Sequence, residues 1–159
     1  MRAGIGYDSH RLEEGRRLVL GGVEVEAERG LAGHSDADVL THAIIDALLG
    51  AAGLGDIGQH FPDTDERWRD ADSLALLGQV ATFLDDHGWT ITHIDSTVSC
   101  EAPKLAAYRD DMRRRLAETV GLRPLEVNVK FTTGERMGFV GRGEGIAALA
   151  IATVERAAD

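Results

Sequence analysis

The sequence has 159 residues, 43% of them hydrophobic and 28% charged, which is typical of a globular domain and not of a disordered chain. A chain of this length can build one hydrophobic core, so we predict a single domain over residues 1–159. Its 27 acidic residues outnumber 17 basic ones and give a net charge of −10. This balance argues against a nucleic-acid partner, because phosphate backbones are bound by basic surfaces.

Three features predict a soluble, cytoplasmic protein that does not enter a membrane. Cys100 is the single cysteine, so the chain cannot form an internal disulfide, as is usual in a reducing compartment. The first ten residues lack the apolar segment of a signal peptide. The longest apolar stretches, such as residues 146–154, are much shorter than the roughly 20 residues that span a bilayer.

The N-terminal third predicts a strand, a hairpin and a helix in chain order. Residues 3–10 have the pattern of a short strand, and residues 17–26 predict a β-hairpin around Gly21-Gly22. Apolar residues then recur at helical spacing over residues 39–51. Ser35 and Asp38 precede them with the spacing of a capping box, and Gly53 ends the predicted helix.

The rest of the chain alternates between predicted helices and strands. Residues 54–72 lack periodicity and predict a long functional loop. The remaining predicted elements are a helix from Ser73 to Gly88, a strand over 89–100, a helix from Pro103 to Gly121, a strand over 127–131 and a glycine-rich turn over 134–145. Residues 146–154 are apolar on both faces and remain ambiguous between strand and helix. This order predicts an α+β layer fold.

Asp8, His10 and His42 are the candidate metal ligands. Asp8 and His10 are two residues apart on a predicted strand and therefore share a face, although this signal alone is weak. His42 lies on the first helix between Asp38 and Asp46, where a solvated histidine is an equally good interpretation. If the three converge, they provide an Asp/His/His set suited to Zn²⁺ with one position open, as in catalytic zinc sites.

Several other residues have the chemistry of a phosphate site. His34 and Ser35 precede the first helix, where amide groups and the helix dipole favour an anion, although Ser35 is also explained as a plain cap. Lys104, one of two lysines, is predicted at the start of a helix, where a ligand phosphate would account for it. The sequence has neither a P-loop nor a dinucleotide fingerprint, so we expect neither a kinase nor a dinucleotide enzyme.

Six segments together carry a resemblance to a known family. They are GYDSH at residues 6–10, HSDADVLTHAIIDALLGAAGLGDIG at 34–58, FPDTD at 61–65, APK at 102–104, TTGE at 132–135 and GFVGRGEG at 138–145. Their order and spacing resemble those of the 2-C-methyl-D-erythritol 2,4-cyclodiphosphate synthases over essentially the whole chain. The resemblance implies a β-α-β-α-β-β core with a mixed four-stranded sheet, helices on one face, an N-terminal hairpin and a homotrimer with sites between subunits.

The resemblance also implies a reaction and its cofactors. The family cyclises 4-diphosphocytidyl-2-C-methyl-D-erythritol 2-phosphate to 2-C-methyl-D-erythritol 2,4-cyclodiphosphate and CMP, a step of the non-mevalonate isoprenoid route. One Zn²⁺ would be held by Asp8, His10 and His42, and Mg²⁺ or Mn²⁺ would bind the substrate diphosphate with Glu135. His34 and Thr133 would donate hydrogen bonds to the transition state.

Substrate-binding positions carried over by resemblance form three groups. Those toward the methylerythritol phosphate are Asp8, Ser9, His10, His34, Ser35, Asp56, Ile57, Gly58, Phe61, Pro62, Asp63, Thr64 and Asp65. Those toward the nucleotide and diphosphate are Cys100, Glu101, Ala102, Pro103, Lys104, Leu105, Ala106, Thr132, Thr133, Gly134 and Glu135. Phe139 and Arg142 match positions at the trimer axis, where some members hold an isoprenoid diphosphate.

The chain departs from the family pattern at three positions. Ala37 stands where the family usually has a glycine. Gly134 stands where the family usually has a polar residue, which puts a side-chain contact from position 134 in doubt. The Glu101 carboxylate lies within the nucleotide segment, so we expect it either to face away from the phosphates or to weaken binding.

Two alternatives remain open at the level of sequence. The same ligands could serve a zinc-dependent phosphodiesterase or pyrophosphohydrolase, which would release an acyclic diphosphate. A trimeric module that binds a nucleotide or prenyl diphosphate without catalysis would show binding and no turnover.

Overall fold

The computed structural model describes residues 1–157, which form twelve helices and strands apart from three short 3₁₀ turns. The strands are β1 (Arg2–Glu14), β2 (Leu18–Leu20), β3 (Val23–Val25), β4 (Arg29–Leu31), β5 (Trp89–Ser99), β6 (Val127–Thr132) and β7 (Gly145–Arg156). The helices are α1 (Val39–Ala52), α2 (Ile57–His60), α3 (Ser73–Asp86), α4 (Arg109–Val120) and α5 (Gly138–Gly141). Within this part of the chain no helix has the length and apolar character needed to cross a membrane.

One mixed sheet organises the fold, with strand order β4-β1-β7-β5-β6. β7 pairs antiparallel with both β1 and β5, whereas β5 and β6 are parallel. The four long strands are those of the predicted core, and the short β4 adds a fifth at the edge of β1. The ambiguous segment 146–154 is a strand, and β1 extends four residues beyond the predicted end at His10.

The predicted hairpin is confirmed and forms a separate two-stranded sheet of β2 and β3. Gly21 and Gly22 turn the chain with φ of 58° and 73°, a left-handed pair that glycine adopts without steric cost. The loop 54–72 is more ordered than predicted, because it contains α2 and a 3₁₀ turn at Glu66–Trp68.

The helices α1, α3 and α4 cover one face of the sheet. α1 lies against β1 and β7 and is buried along almost its whole length. It approaches β1 so closely that a Cβ at Gly6 would lie 1.9 Å from the Ala43 carbonyl oxygen. This contact fixes the distance between β1 and α1, the two elements that carry the candidate metal ligands.

The predicted capping of α1 by Ser35 is wrong, because Asp38 caps the helix. The fully buried Asp38 carboxylate accepts from the amide and hydroxyl of Thr41, at 3.0 and 2.8 Å. It also accepts from the amides of Gly21 and Gly22, at 2.9 and 2.8 Å, and so joins the hairpin to the helix. Similarly, Asp72 rather than Ser73 caps α3.

We expect Asp38→Ala to lower the free energy of unfolding by about 2 kcal/mol, because a cap is lost and buried amides keep no partner. Urea titration followed by circular dichroism measures this change. Asp72→Ala, which removes an exposed cap, is the matched control and should cost about 1 kcal/mol or less. Equal effects of the two substitutions would contradict the bridging role of Asp38.

The prediction that Pro103 opens a helix is wrong, and so is the placement of Lys104 at a helix start. Residues 101–103 form a bend, and α4 begins only at Arg109, after a 3₁₀ turn at Ala106–Tyr108. The Cys100 amide still pairs with the Thr132 carbonyl oxygen, and the Glu101 side chain is bonded to the loop after β6. These contacts hold the segment beside β6, so no helix begins at Pro103. The predicted end of α4 at Gly121 is confirmed.

Candidate active site

Asp8, His10 and His42 converge at one point on the helix-covered face of the sheet. Asp8 Oδ2 lies 2.9 Å from His10 Nε2 and 3.1 Å from His42 Nδ1, and the two ring nitrogens are 3.3 Å apart. Asp8 and His10 are alternate residues of β1, and α1 presents His42 to them from above. His42 is only 9% exposed, so the interpretation as a solvated helical histidine is wrong.

Contacts on the outer sides of both rings direct the inner nitrogens toward Asp8, where the three residues could hold a cation between them. His10 Nδ1 donates to the Ala32 carbonyl oxygen at 2.7 Å. His42 Nε2 lies 2.9 Å from Ser73 Oγ and 3.1 Å from Ser35 Oγ. The Ser73 hydroxyl in turn donates to Asp36, so it can accept from His42. Such outer contacts fix the orientation and tautomer of ligand histidines.

The electrostatics of the cluster follow from its partial burial. Burial raises the pKa of Asp8, but hydrogen bonds and charge from His10 and His42 outweigh it and lower the pKa to about 2. Burial lowers the pKa of His10, and the Asp8 carboxylate outweighs it, so the pKa of this imidazole is raised. The Asp8 carboxyl is therefore charged near neutral pH and would stabilise a cation held by the cluster.

The donor set fits a metal ion. Its three ligand atoms, one carboxylate oxygen and two imidazole nitrogens, lie within 4.8 Å of one another. Two histidines and a carboxylate are ligands that Zn²⁺ takes in catalytic sites, where a fourth position stays open for substrate. The residues present thus provide a candidate metal site with three protein ligands.

A cleft of about 410 Å³ opens beside the cluster. Its lining includes Asp8, His10, His34, Ser35, His42, Ile57, Gly58, Phe61, Pro62 and Asp63, all predicted from the sequence. Gly33, Trp68 and Leu76 also line it and were not predicted. The Phe61 and Trp68 rings meet edge to face, with centroids 5.0 Å apart. The cleft therefore joins a polar end, formed by the candidate metal ligands, to an apolar wall.

Some predicted residues of this group lie outside the lining. Ser9 points away from the cluster, because side chains alternate along β1. Asp56 caps α2 through the Gln59 amide, and Thr64 is exposed. Asp65 pairs with Arg67, and its carbonyl oxygen accepts from His34 Nε2 at 3.1 Å. Asp56 and Asp65 thus help to order the loop that borders the cleft.

A second cleft of about 320 Å³ lies at the ends of β5 and β6. The predicted residues in its lining are Cys100, Glu101, Pro103, Lys104, Leu105, Ala106, Thr132 and Thr133. Arg109 and Phe131 were missed, and the Arg109 guanidinium lies over the Phe131 ring at 5.1 Å. Ala102, Gly134 and Glu135 are not in this lining, although the Thr133 hydroxyl donates to a Glu135 carboxylate oxygen at 3.4 Å.

Cys100 is not poised to be a nucleophile. Burial raises the pKa of its thiol to about 11, so the thiol stays protonated near neutral pH. Its Sγ donates to the Pro103 carbonyl oxygen at 3.6 Å. The residue therefore shapes the second cleft through packing.

The two clefts share no lining residue but lie at the same end of the sheet. Strand register places Ser9, Ala147, Ser99 and Thr132 in one row across β1, β7, β5 and β6. Three strand spacings separate Ser9 from Thr132, or about 14 Å. The two clefts are thus separate in the described chain.

Phe139 and Arg142 lie apart from both clefts, at α5. Phe139 is exposed, and Arg142 pairs with Glu144 at 2.8 Å. The structure does not bring these two residues to the Asp8–His10–His42 cluster.

The fold and the cluster together define an α+β protein with a candidate metal site, and comparison with known proteins gives its family. The YgbB family matches residues 1–155, so the chain belongs to the YgbB family. The chain is 58% identical over 154 residues to the 2-C-methyl-D-erythritol 2,4-cyclodiphosphate synthase of Alkaliphilus metalliredigens, covering 97% of each. The family resemblance predicted from the sequence is confirmed.

Two further proteins show the same likeness. The bifunctional enzyme IspD/IspF of Anaeromyxobacter dehalogenans is 59% identical over 155 residues, which are 98% of this chain and 40% of that relative. The chain thus spans less than half the length of this bifunctional relative. A solved 2C-methyl-D-erythritol-2,4-cyclodiphosphate synthase in a CDP-bound form superposes with a TM-score of 0.89 at 36% identity, covering 97% of this chain and 100% of that one.

Proposed function

We propose that this chain cyclises 4-diphosphocytidyl-2-C-methyl-D-erythritol 2-phosphate to 2-C-methyl-D-erythritol 2,4-cyclodiphosphate with release of CMP, in the non-mevalonate route to isoprenoid precursors. A 2-phosphate oxygen attacks the β-phosphorus, and the bond from that phosphorus to the α-phosphate bridging oxygen breaks. The observation that carries the proposal is the Asp8–His10–His42 cluster beside an apolar-walled cleft, in a chain so similar to synthases over its length.

The metal is Zn²⁺ in this proposal, because one carboxylate and two imidazoles with oriented outer nitrogens suit it. Zn²⁺ at the cluster and Mg²⁺ or Mn²⁺ between Glu135 and the substrate diphosphate would neutralise the two phosphate groups that must meet. Glu135 is exposed beside the Thr133 hydroxyl, where its carboxylate can reach a bound cation.

The chain's own residues position the reacting groups. No protein nucleophile is needed, because the attacking oxygen belongs to the substrate. His34, on the wall of the first cleft, and Thr133, on the wall of the second, donate hydrogen bonds to phosphate oxygens as charge develops. Ile57, Phe61 and Leu76 exclude water, which would otherwise hydrolyse the diphosphate.

The nucleotide binds in the second cleft. Its loop offers backbone groups of residues 100–106 and the exposed Lys104, with Thr132 and Thr133 toward the diphosphate. A solved relative in a CDP-bound form supports a cytidine nucleotide as the ligand class. Methylerythritol phosphate then occupies the first cleft, with Ser35, Gly58 and Asp63 in its lining and Asp56 at its border.

The functional unit in this proposal is a homotrimer whose sites lie between subunits. The sheet face opposite the helices carries an apolar patch of Ile5, Tyr7, Leu149 and Ile151, which are 65%, 58%, 42% and 47% exposed in the single chain. Such a patch is typical of a protein–protein interface. Phe139 and Arg142 provide an apolar ring and a cation for an isoprenoid diphosphate at the trimer axis.

Residues 1–159 form one catalytic domain in this proposal, and the protein works in the cytoplasm. The unpaired Cys100 is consistent with a reducing compartment. Residues 158 and 159 lie outside the described part of the chain.

Turnover tests the proposal against a module that only binds nucleotides. Purified protein with Zn²⁺ and Mg²⁺ should release CMP from the cytidylyl substrate, and a chelator should abolish the release. Nucleotide binding without CMP release would contradict an enzymatic role.

Lys104→Ala should raise KM for the cytidylyl substrate by about tenfold and leave kcat and zinc content unchanged, because its charge supports binding throughout the reaction. Steady-state kinetics and metal analysis measure both. Arg114→Ala, which removes an exposed cation from α4, is the control and should leave KM unchanged. An unaltered KM in Lys104→Ala would show that Lys104 is only a surface lysine.

A further inference from the structure

Glu101 joins the loops that follow two neighbouring strands. It lies after β5, within the proposed nucleotide segment, but its carboxylate points to the turn after β6. Oε2 accepts from the Gly134 amide at 2.8 Å, and Oε1 accepts from the Arg136 amide at 3.3 Å. Because β5 and β6 are paired as far as Ser99 and Thr132, this carboxylate holds together the two loops of the second cleft.

The turn that Glu101 holds has an unusual backbone. Glu135 and Arg136 adopt φ of 50° and 62°, a left-handed conformation that residues other than glycine adopt infrequently. Gly134 lies so close to α5 that a Cβ there would come within 2.5 Å of the Gly141 amide. Inside the turn, the Thr133 hydroxyl oxygen accepts from the Glu135 amide at 3.3 Å. A turn of this shape depends on contacts from outside it, and Glu101 supplies two of them.

The same contacts account for a carboxylate so close to a nucleotide diphosphate. A free carboxylate at this position would repel the ligand. Here both carboxylate oxygens accept hydrogen bonds from backbone amides. These bonds stabilise the negative charge and orient the carboxylate toward the protein backbone.

We propose that Glu101 is a positioning residue that holds the Thr133–Arg136 turn in the conformation that receives the nucleotide diphosphate. This inference rests on the proposed function for the identity of the ligand. The proposal predicts that removal of the Glu101 carboxylate weakens diphosphate binding. Simple charge repulsion would predict tighter binding.

The test compares Glu101→Ala and Glu101→Gln by calorimetric titration with CDP and with cytidine, without turnover. Glu101→Ala should weaken CDP binding by about tenfold, the effect of losing one or two charge-assisted hydrogen bonds. Cytidine binding should change little, since cytidine has no phosphate for the turn to hold. Glu101→Gln keeps an acceptor for the Gly134 amide, so its CDP affinity should stay within about threefold of wild type.

Glu126→Ala is the matched control, because Glu126 accepts from the Arg123 amide at 2.8 Å at the opposite end of β6. It should leave CDP affinity unchanged. Amide hydrogen exchange over residues 133–137 gives a second measurement and should accelerate in Glu101→Ala alone. Tighter or unchanged CDP binding in Glu101→Ala, or an equal loss of cytidine binding, would overturn the inference. Failure of the cyclisation itself would appear separately, in the product assay.

Discussion

His42→Ala should lose the Zn²⁺ of the proposed site and nearly all activity while the protein remains folded. His42 supplies one of only three protein ligands in the cluster, and its inner nitrogen lies 3.1 Å from the Asp8 carboxylate. Loss of residues that merely orient ligands typically costs about 10–100-fold, so loss of a ligand itself should cost more. Metal analysis of the purified protein and steady-state turnover measure the two effects.

His87→Ala provides a control, because the ring of this exposed histidine at the end of α3 donates to the Phe83 carbonyl oxygen and lies outside the cluster. It should retain full zinc content and activity. His10→Ala is a second test of the cluster, with a less buried side chain than His42, and should also lose zinc. Full zinc content in a folded His42→Ala protein would contradict the site.

Two inactive variants should restore activity when they are assembled together. One chain carries His42→Ala, and the other carries Lys104→Glu with Thr133→Ala. In the proposed trimer, the metal half of a site comes from one subunit and the nucleotide half from its neighbour. The separation of the two clefts by three strand spacings within one chain is consistent with this arrangement.

The recovered fraction follows from the geometry of a closed head-to-tail ring. A site is intact only when both of its halves come from unmutated copies, so about a quarter of the sites should recover after random assembly. The variants are unfolded together, refolded as an equal mixture and assayed for CMP release. Activity no greater than the sum of the two separate variants would place each site within one chain and contradict the shared site.

The sheet could be predicted closely where sequence pattern and turn chemistry agree. The hairpin follows from Gly21-Gly22, and α1 and α4 end where Gly53 and Gly121 adopt the left-handed conformation. β7 could not be assigned, because its Ala and Ile side chains occupy both faces. In the structure one of these faces packs on α1, and the other carries Leu149 and Ile151 at the surface.

Capping could not be assigned from local sequence, because Ser35, Asp36 and Asp38 are all good caps. Tertiary contacts decide among them. Asp38 accepts hydrogen bonds from the hairpin amides. Ser35 instead contacts the outer nitrogen of His42, and Asp36 bonds to Ser73 beside the same nitrogen. Ser35, which was predicted to cap the helix, thus lies beside the Asp8–His10–His42 cluster.

Much of the candidate site could be predicted because short motifs and the family resemblance place its residues. Alternation along β1 puts Asp8 and His10 on one face, and the structure brings His42 to them. Trp68, Leu76, Arg109 and Phe131 could not be found in this way, because they reach the clefts only through the packing of distant segments. The prediction of a helix that begins at Pro103 is wrong for the same reason, because contacts with the loop after β6 determine the path of this segment.

The identity of the phosphorus-containing products tests the central claim most directly. Phosphorus NMR should follow the wild-type protein with 4-diphosphocytidyl-2-C-methyl-D-erythritol 2-phosphate, Zn²⁺ and Mg²⁺. The proposed reaction predicts CMP together with a cyclic diphosphate whose two phosphorus atoms are coupled to each other. CMP together with acyclic methylerythritol 2,4-bisphosphate, whose two phosphorus atoms are not coupled to each other, would show that water, and not the substrate's own phosphate, attacks, and would contradict the account.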